Sequence, residues 1–206
     1  MPSVLRLSVI LVALVYSVPG FAVRACLIEF DGGTLLLNRW VNEPARRVEQ
    51  LLDVLQEIPE TKVNALEFGA RLSRGEFSVT PLASEYKVAA RTFYETGAVS
   101  IGLDSSEFGL LLVHFYHEIV HALDADGLDR LRQKDLSQAE KNKAVFDAER
   151  KAFDAQAALV KALVRDYPCA ETYFNQHQSK GNVIARNPTD AEINILYGFL
   201  AVSQLR

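Results

Sequence analysis

The chain of 206 residues predicts an α+β fold, and three observations carry that prediction. Short segments with loose period-two alternation and glycine punctuation occupy the stretch from about residue 64 to 103. An almost uniformly apolar helical run follows from Phe108 to Leu123, and it contains His117-Glu118-Ile119-Val120-His121. Beyond it, helical periodicity dominates to the C-terminus. The expectation is a small β-sheet, with an edge strand beside a buried helix, followed by a mostly helical C-terminal half.

The first residues read as a sorting signal. Arg6 gives a positive start, Leu7 to Val18 form the apolar run, and Pro19-Gly20 breaks it. Ala22 or Ala25 offers the small residue for cleavage, so residues 1–22 are expected to be removed and 23–206 to form a single domain. The run is shorter than the ~20 residues a spanning helix needs, which predicts a secreted or periplasmic protein without stable membrane insertion. A net charge of −4 gives no electrostatic footprint for nucleic acid. The two cysteines, Cys26 and Cys169, are expected to pair in an oxidising compartment. The rival is a lipid-anchored Cys26, against which the charged Arg24 argues.

Taken in order, the elements begin with a short hairpin from Cys26 to Leu37 around Asp31-Gly32-Gly33. A helix is predicted over Glu43–Ile58 from the spacing of Val48, Leu51, Leu52 and Leu55, with Pro59 ending it. Asn64–Leu72, Glu76–Thr80, Arg91–Glu95 and Ala98–Leu103 read as strands. Asp104 and Glu107 have capping-box spacing, which starts the apolar helix near Ser105, and Gly127 is a stop signal. A polar stretch over 125–138 precedes a second long helix to about Tyr167. A shorter helix over Ala170–Gln178 follows Pro168. Asn187 is read as the N-cap of a last helix whose inner face carries Ile193, Leu196, Tyr197, Leu200 and Ala201.

The pentapeptide carries the chemistry. Residues four apart on a helix lie about 40° apart, so His117 and His121 can reach one ion. Glu118 stands beside that ion, where a carboxylate can take a proton from an activated water. A catalytic zinc site usually takes a third protein ligand. On the second long helix Glu149 shares its face with Val145, Ala152, Phe153, Gln156, Val160 and Leu163, within about 60° of one direction. A carboxylate on a core-facing stripe must be paired or metal-bound. Glu149 is therefore the expected third ligand, the alternative being a salt bridge to a buried Arg or Lys. Asp147 points outward and is set aside.

Neighbouring groups have expected roles as well. Gln156 and Asp124 are candidates to orient ligands, the alternatives being a satisfied core amide for Gln156, the commoner case, and a solvated helix end for Asp124. His114 lies about 10 Å along the axis from His121, too far to converge with it, and reads as a core histidine. Tyr173, His177 and Tyr197 are candidate donors for transition-state charge.

His117-Glu118-x-x-His121 with Glu149 on a following helix resembles the gluzincin branch of the zincin metallopeptidases. Glu149-x-x-Ala152-Phe153 is similar to the E-x-x-A-aromatic pattern of several of its families, and the His121-Ala122-Leu123-Asp124 tail to the HAxD ending of lethal-factor-like toxin peptidases. The resemblance spans residues 98–156. It implies a zincin-like fold, one Zn2+ held by His117, His121 and Glu149, and Glu118 as general base. A thermolysin-like specificity does not carry over, because the tail and the third-ligand motif differ. The expected function is an exported zinc metallopeptidase acting on a peptide or protein, with strand Ala98–Leu103 pairing with the substrate. Two other readings stay open: a zincin-like binding module with structural zinc, and a metal-dependent amidase acting on a cell-wall linkage.

Overall fold

The computed structural model describes residues 27–30, 33–36, 46–81, 90–93, 96, 98–102, 107–181 and 186–198. Over these the chain is α+β and mostly helical. The expected signal segment, Cys26, the Asp31-Gly32 turn, Asp104, Leu200 and Ala201 lie outside the described residues. Cys169 is disulfide-bonded. No described helix is long and apolar enough to cross a membrane.

Strands β1 (Leu27–Phe30) and β2 (Gly33–Leu36) pair antiparallel, Phe30 opposite Gly33, as the hairpin reading expects. Helix α1 (Arg47–Glu57) buries Leu51, Leu52, Val54 and Leu55. Helix α1 stops at Glu57 with Ile58 extended, directly before Pro59 as predicted, and Pro59 also opens the next helix. It occupies the first turn of α2 (Pro59–Ser73), where its missing N–H costs nothing. The predicted strand Asn64–Leu72 is thus helical. Thr61, Ala65 and Phe68 recur at helical spacing and are fully buried, and Thr61 Oγ1 bonds the Leu55 carbonyl at 2.5 Å, pinning the corner.

The second sheet has the order β3 (Val79–Pro81), β5 (Ala98–Ile101), β4 (Ala90–Phe93). Strand β5 runs parallel to β3 and antiparallel to β4, with Thr92 opposite Val99. This corrects the expected substrate strand. Both edges of Ala98–Ile101 are already hydrogen-bonded, so it has none to offer, and among the described strands β4 is the edge beside the apolar helix.

That helix, α3 (Phe108–Leu123), buries residues on every side, Phe115 and Ile119 completely. Its start is later than predicted, with Glu107 as N-cap. Phe68 meets the Phe115 ring edge-on at 5.8 Å, locking α2 to α3. Helix α5 (Gln138–Asp166), opened by a Ser137–Glu140 capping box, makes the most extensive helix contact with α3. Helix α6 (Pro168–Ser179) follows it, and α7 (Asp190–Leu196) lies against α5. The N-cap of α7 is Thr189, in a capping box with Glu192, rather than Asn187. Asn187 instead accepts a hydrogen bond from Arg150 and donates one to Asp154 at 2.9 Å. Ile193 is buried as predicted, but Leu196 and Tyr197 are 52% and 41% exposed.

Gly127 is no stop signal. It lies inside α4 (Ala125–Arg132), which occupies part of the polar stretch. A Cβ at Gly127 would stand 2.1 Å from Asp124 Oδ2, so the glycine makes room for that carboxylate. Gly127→Ala is expected to force Asp124 off Lys151, cancelling the ~1 kcal/mol that alanine otherwise adds to a helix. In an Asp124→Ala background the same change should stabilise. Equal effects in both backgrounds, by denaturant titration, would count against the steric explanation.

Candidate metal centre

Two helices build the site. The α3 backbone sets His117 and His121 one turn apart, and α5 delivers Glu149 from the facing surface. All three are buried, at 5%, 3% and 4% exposure. His117 Nε2 and His121 Nε2 are 3.1 Å apart, and Glu149 Oε2 lies 3.2 Å from the first and 3.4 Å from the second. Among the described residues these three form the one such group of potential metal ligands.

That triangle tests the fit to an ion. Ligands at 2.0–2.2 Å in a tetrahedron stand about 3.3–3.6 Å from one another, so the observed edges are within a few tenths of an ångström of a zinc coordination face. Gln156, fully buried, has Oε1 3.1 Å from His117 Nδ1 and accepts its proton. Its Nε2 then faces the other two atoms, one of which belongs to an acceptor-only carboxylate, and such a meeting calls for a proton or a metal ion between them. A cation at the centre relieves this. The residues fit a zinc-like ion, with Gln156 fixing the His117 tautomer and Phe153 packed on its ring at 4.7 Å.

In the metal-free centre the Glu149 carboxylate and the His121 imidazole hold one another in their charged forms. Burial alone would raise the Glu149 pKa, but hydrogen bonds and charge from His117 and His121 hold it well below the usual carboxylate range. Burial works to lower the His121 pKa, while Glu149, with Glu118 and Asp124 adding, raises it above the ordinary value. His114, one turn earlier, is pushed down to about 3 by desolvation and by the neighbouring His117. It stays neutral and outside the group.

Glu118 is buried at 8% exposure and turned towards the sheet. Thr92 on β4 places its hydroxyl 2.7 Å from Glu118 Oε2 and 3.2 Å from the Glu118 carbonyl. Sequence reasoning missed Thr92. Its signal was period-two alternation: Arg91 and Phe93 are exposed while Thr92 is buried, and a buried hydroxyl requires a partner.

The remaining expected residues divide. Tyr197 is at the centre, its hydroxyl donating to Glu149 Oε2 at 2.7 Å. Asp124 pairs with Lys151 at 2.6 Å and adds negative potential at His121. Tyr173 and His177 stand at the far end of α3. The Tyr173 hydroxyl accepts from the Leu110 amide at 3.2 Å, and His177 pairs with Glu107 at 3.2 Å. Those anchor points are roughly 10–15 Å along the helix axis from His117.

Compared with known proteins, the chain matches no family model, no curated protein and no solved structure.

Proposed function

We propose that this chain is a zinc-dependent peptidase of the gluzincin type, with His117, His121 and Glu149 holding the ion. The observation that carries the reading is the buried triangle of two imidazole nitrogens and one carboxylate oxygen with edges of 3.1–3.4 Å. Zinc, when bound, supplies a Lewis acid and brings the ionisation of water to about neutral pH.

The chain's own groups do the rest. Glu118 accepts the proton of the attacking water and passes it to the departing amine, which makes it the general base and then the general acid. Thr92 holds one oxygen of that carboxylate through its 2.7 Å hydrogen bond and so fixes its rotamer. Gln156 keeps the His117 lone pair directed at the ion. The edge strand β4, directly beside α3, offers its backbone to an extended peptide.

The test combines elemental analysis with a peptide library. The expected result is one zinc per chain and cleavage that a chelator abolishes and zinc restores. Stoichiometric zinc without cleavage of any peptide would sink the peptidase reading, and absence of zinc would sink the metal centre as well.

A further inference from the structure

We infer that Tyr197 is a positioning residue for Glu149, and that α7 is the strap that delivers it. The inference rests on the metal reading above. The Tyr197 hydroxyl is 2.7 Å from Glu149 Oε2, the same oxygen that faces both imidazoles. That separation is a hydrogen-bond length, and it is shorter than the ~3.3 Å edge between two ligands of one tetrahedral ion. The phenol therefore bonds the carboxylate and does not occupy a further corner of the coordination sphere.

A carboxylate on a long helix has freedom in its outer torsions, and the hydrogen bond restricts it to the rotamer that faces the ion. The delivery is specific. Helix α7 has seven residues and buries only Ile193 on α5. Polar contacts hold its entry: Arg150 Nη1 donates to the Pro188 carbonyl at 2.6 Å, and Asn187 bridges Arg150 and Asp154. Arg150 follows Glu149 in sequence, so one short stretch of α5 both supplies the ligand and anchors the segment that steadies it. Tyr197 is 41% exposed, although its hydroxyl reaches a carboxylate that is 4% exposed. A tyrosine serving only as packing would not point its polar end inward in this way.

The test uses Tyr197→Phe, which keeps the ring and removes one oxygen. Zn2+ affinity is read by competition with a chromophoric chelator, and circular dichroism checks that the variant folds. The expected loss is about 10–100-fold in affinity, the range for removing an outer hydrogen bond at a metal ligand. In a Glu149→Ala background the same substitution should cost nothing further. Loading the parent chain with Co2+ should give a visible spectrum that shifts in Tyr197→Phe, a signature of altered ligand geometry.

Unchanged Zn2+ affinity in Tyr197→Phe, with the parent chain binding zinc, overturns the positioning role and leaves the metal centre standing. A tyrosinate-to-metal charge-transfer band in the Cu2+-loaded parent, absent from Tyr197→Phe, overturns it differently by making Tyr197 a ligand. No Zn2+ uptake by the parent chain overturns the metal reading together with this inference.

Discussion

Glu118→Gln is expected to lower peptide hydrolysis by about 10²–10⁴-fold while one zinc per chain is retained. Glutamine has nearly the same volume, and its amide oxygen can still accept from the Thr92 hydroxyl, which now lies 2.7 Å from Oε2. The buried side chain therefore has every reason to keep its place. What it loses is basicity: an amide takes no proton from water near neutral pH. The comparison needs kcat on a cleaved peptide together with metal content for both chains. Undiminished turnover by a zinc-loaded Glu118→Gln chain would remove Glu118 from the chemistry. Thr92→Val is a useful companion, since it leaves the carboxylate in place but frees its orientation. It should reduce turnover by less than Glu118→Gln does.

Zinc is expected to stabilise the fold by about 4 kcal/mol when its free concentration is 1,000 times the dissociation constant. For a chain of this size that corresponds to roughly 8–16 °C in melting temperature. The increment should depend steeply on pH, with a sign fixed by the metal-free centre. His121 has a raised pKa, so it contributes stability below its ordinary value of 6.5 and loses it as pH rises through the folded value. Glu149 has a depressed pKa, so its contribution is present above the ordinary 4.5 and is lost as pH falls through the folded value. The proton-linked pair thus helps most between about pH 4.5 and 6.5, where zinc must displace the His121 proton. Calorimetry with and without zinc should show a small increment at about pH 5.5 and a large one at about pH 8. An increment independent of pH would mean that the histidines are not the ligands.

The centre was more legible in the sequence than the elements around it. His117 and His121 are close because of helix geometry alone, and Glu149 betrays itself as a charge among apolar residues on one face. Both are one-dimensional signals. Thr92 carries weaker ones, because its partner Glu118 is 26 residues away and meets it only once the sheet has docked on α3. The misread helix α2 has a different cause. Val63 and Leu66 are 77% and 47% exposed, so apolar residues lie outside the core face and blur its period. Gly69 added a false break: it is helical, with Leu52 Cδ1 3.9 Å from where its Cβ would stand. Gly127 misled in the same way, standing against the carboxylate of Asp124 rather than at a turn. Asn187 looked like a cap because its residue type suits one, yet Thr189 has the glutamate three residues on and takes the position.

If the proposed centre binds zinc, the division of its ligands between two helices has a bearing on how the chain matures. His117 and His121 are neighbours in any chain that has formed α3, but Glu149 is 32 residues beyond His117 and belongs to another helix. An ion offered before α3 and α5 have docked meets two donors and dissociates readily. Full retention would begin only when the tertiary structure exists, unlike small zinc modules in which the metal organises the fold. Metal capture would then come late, and a chelator trap applied during refolding would time the docking of the two helices.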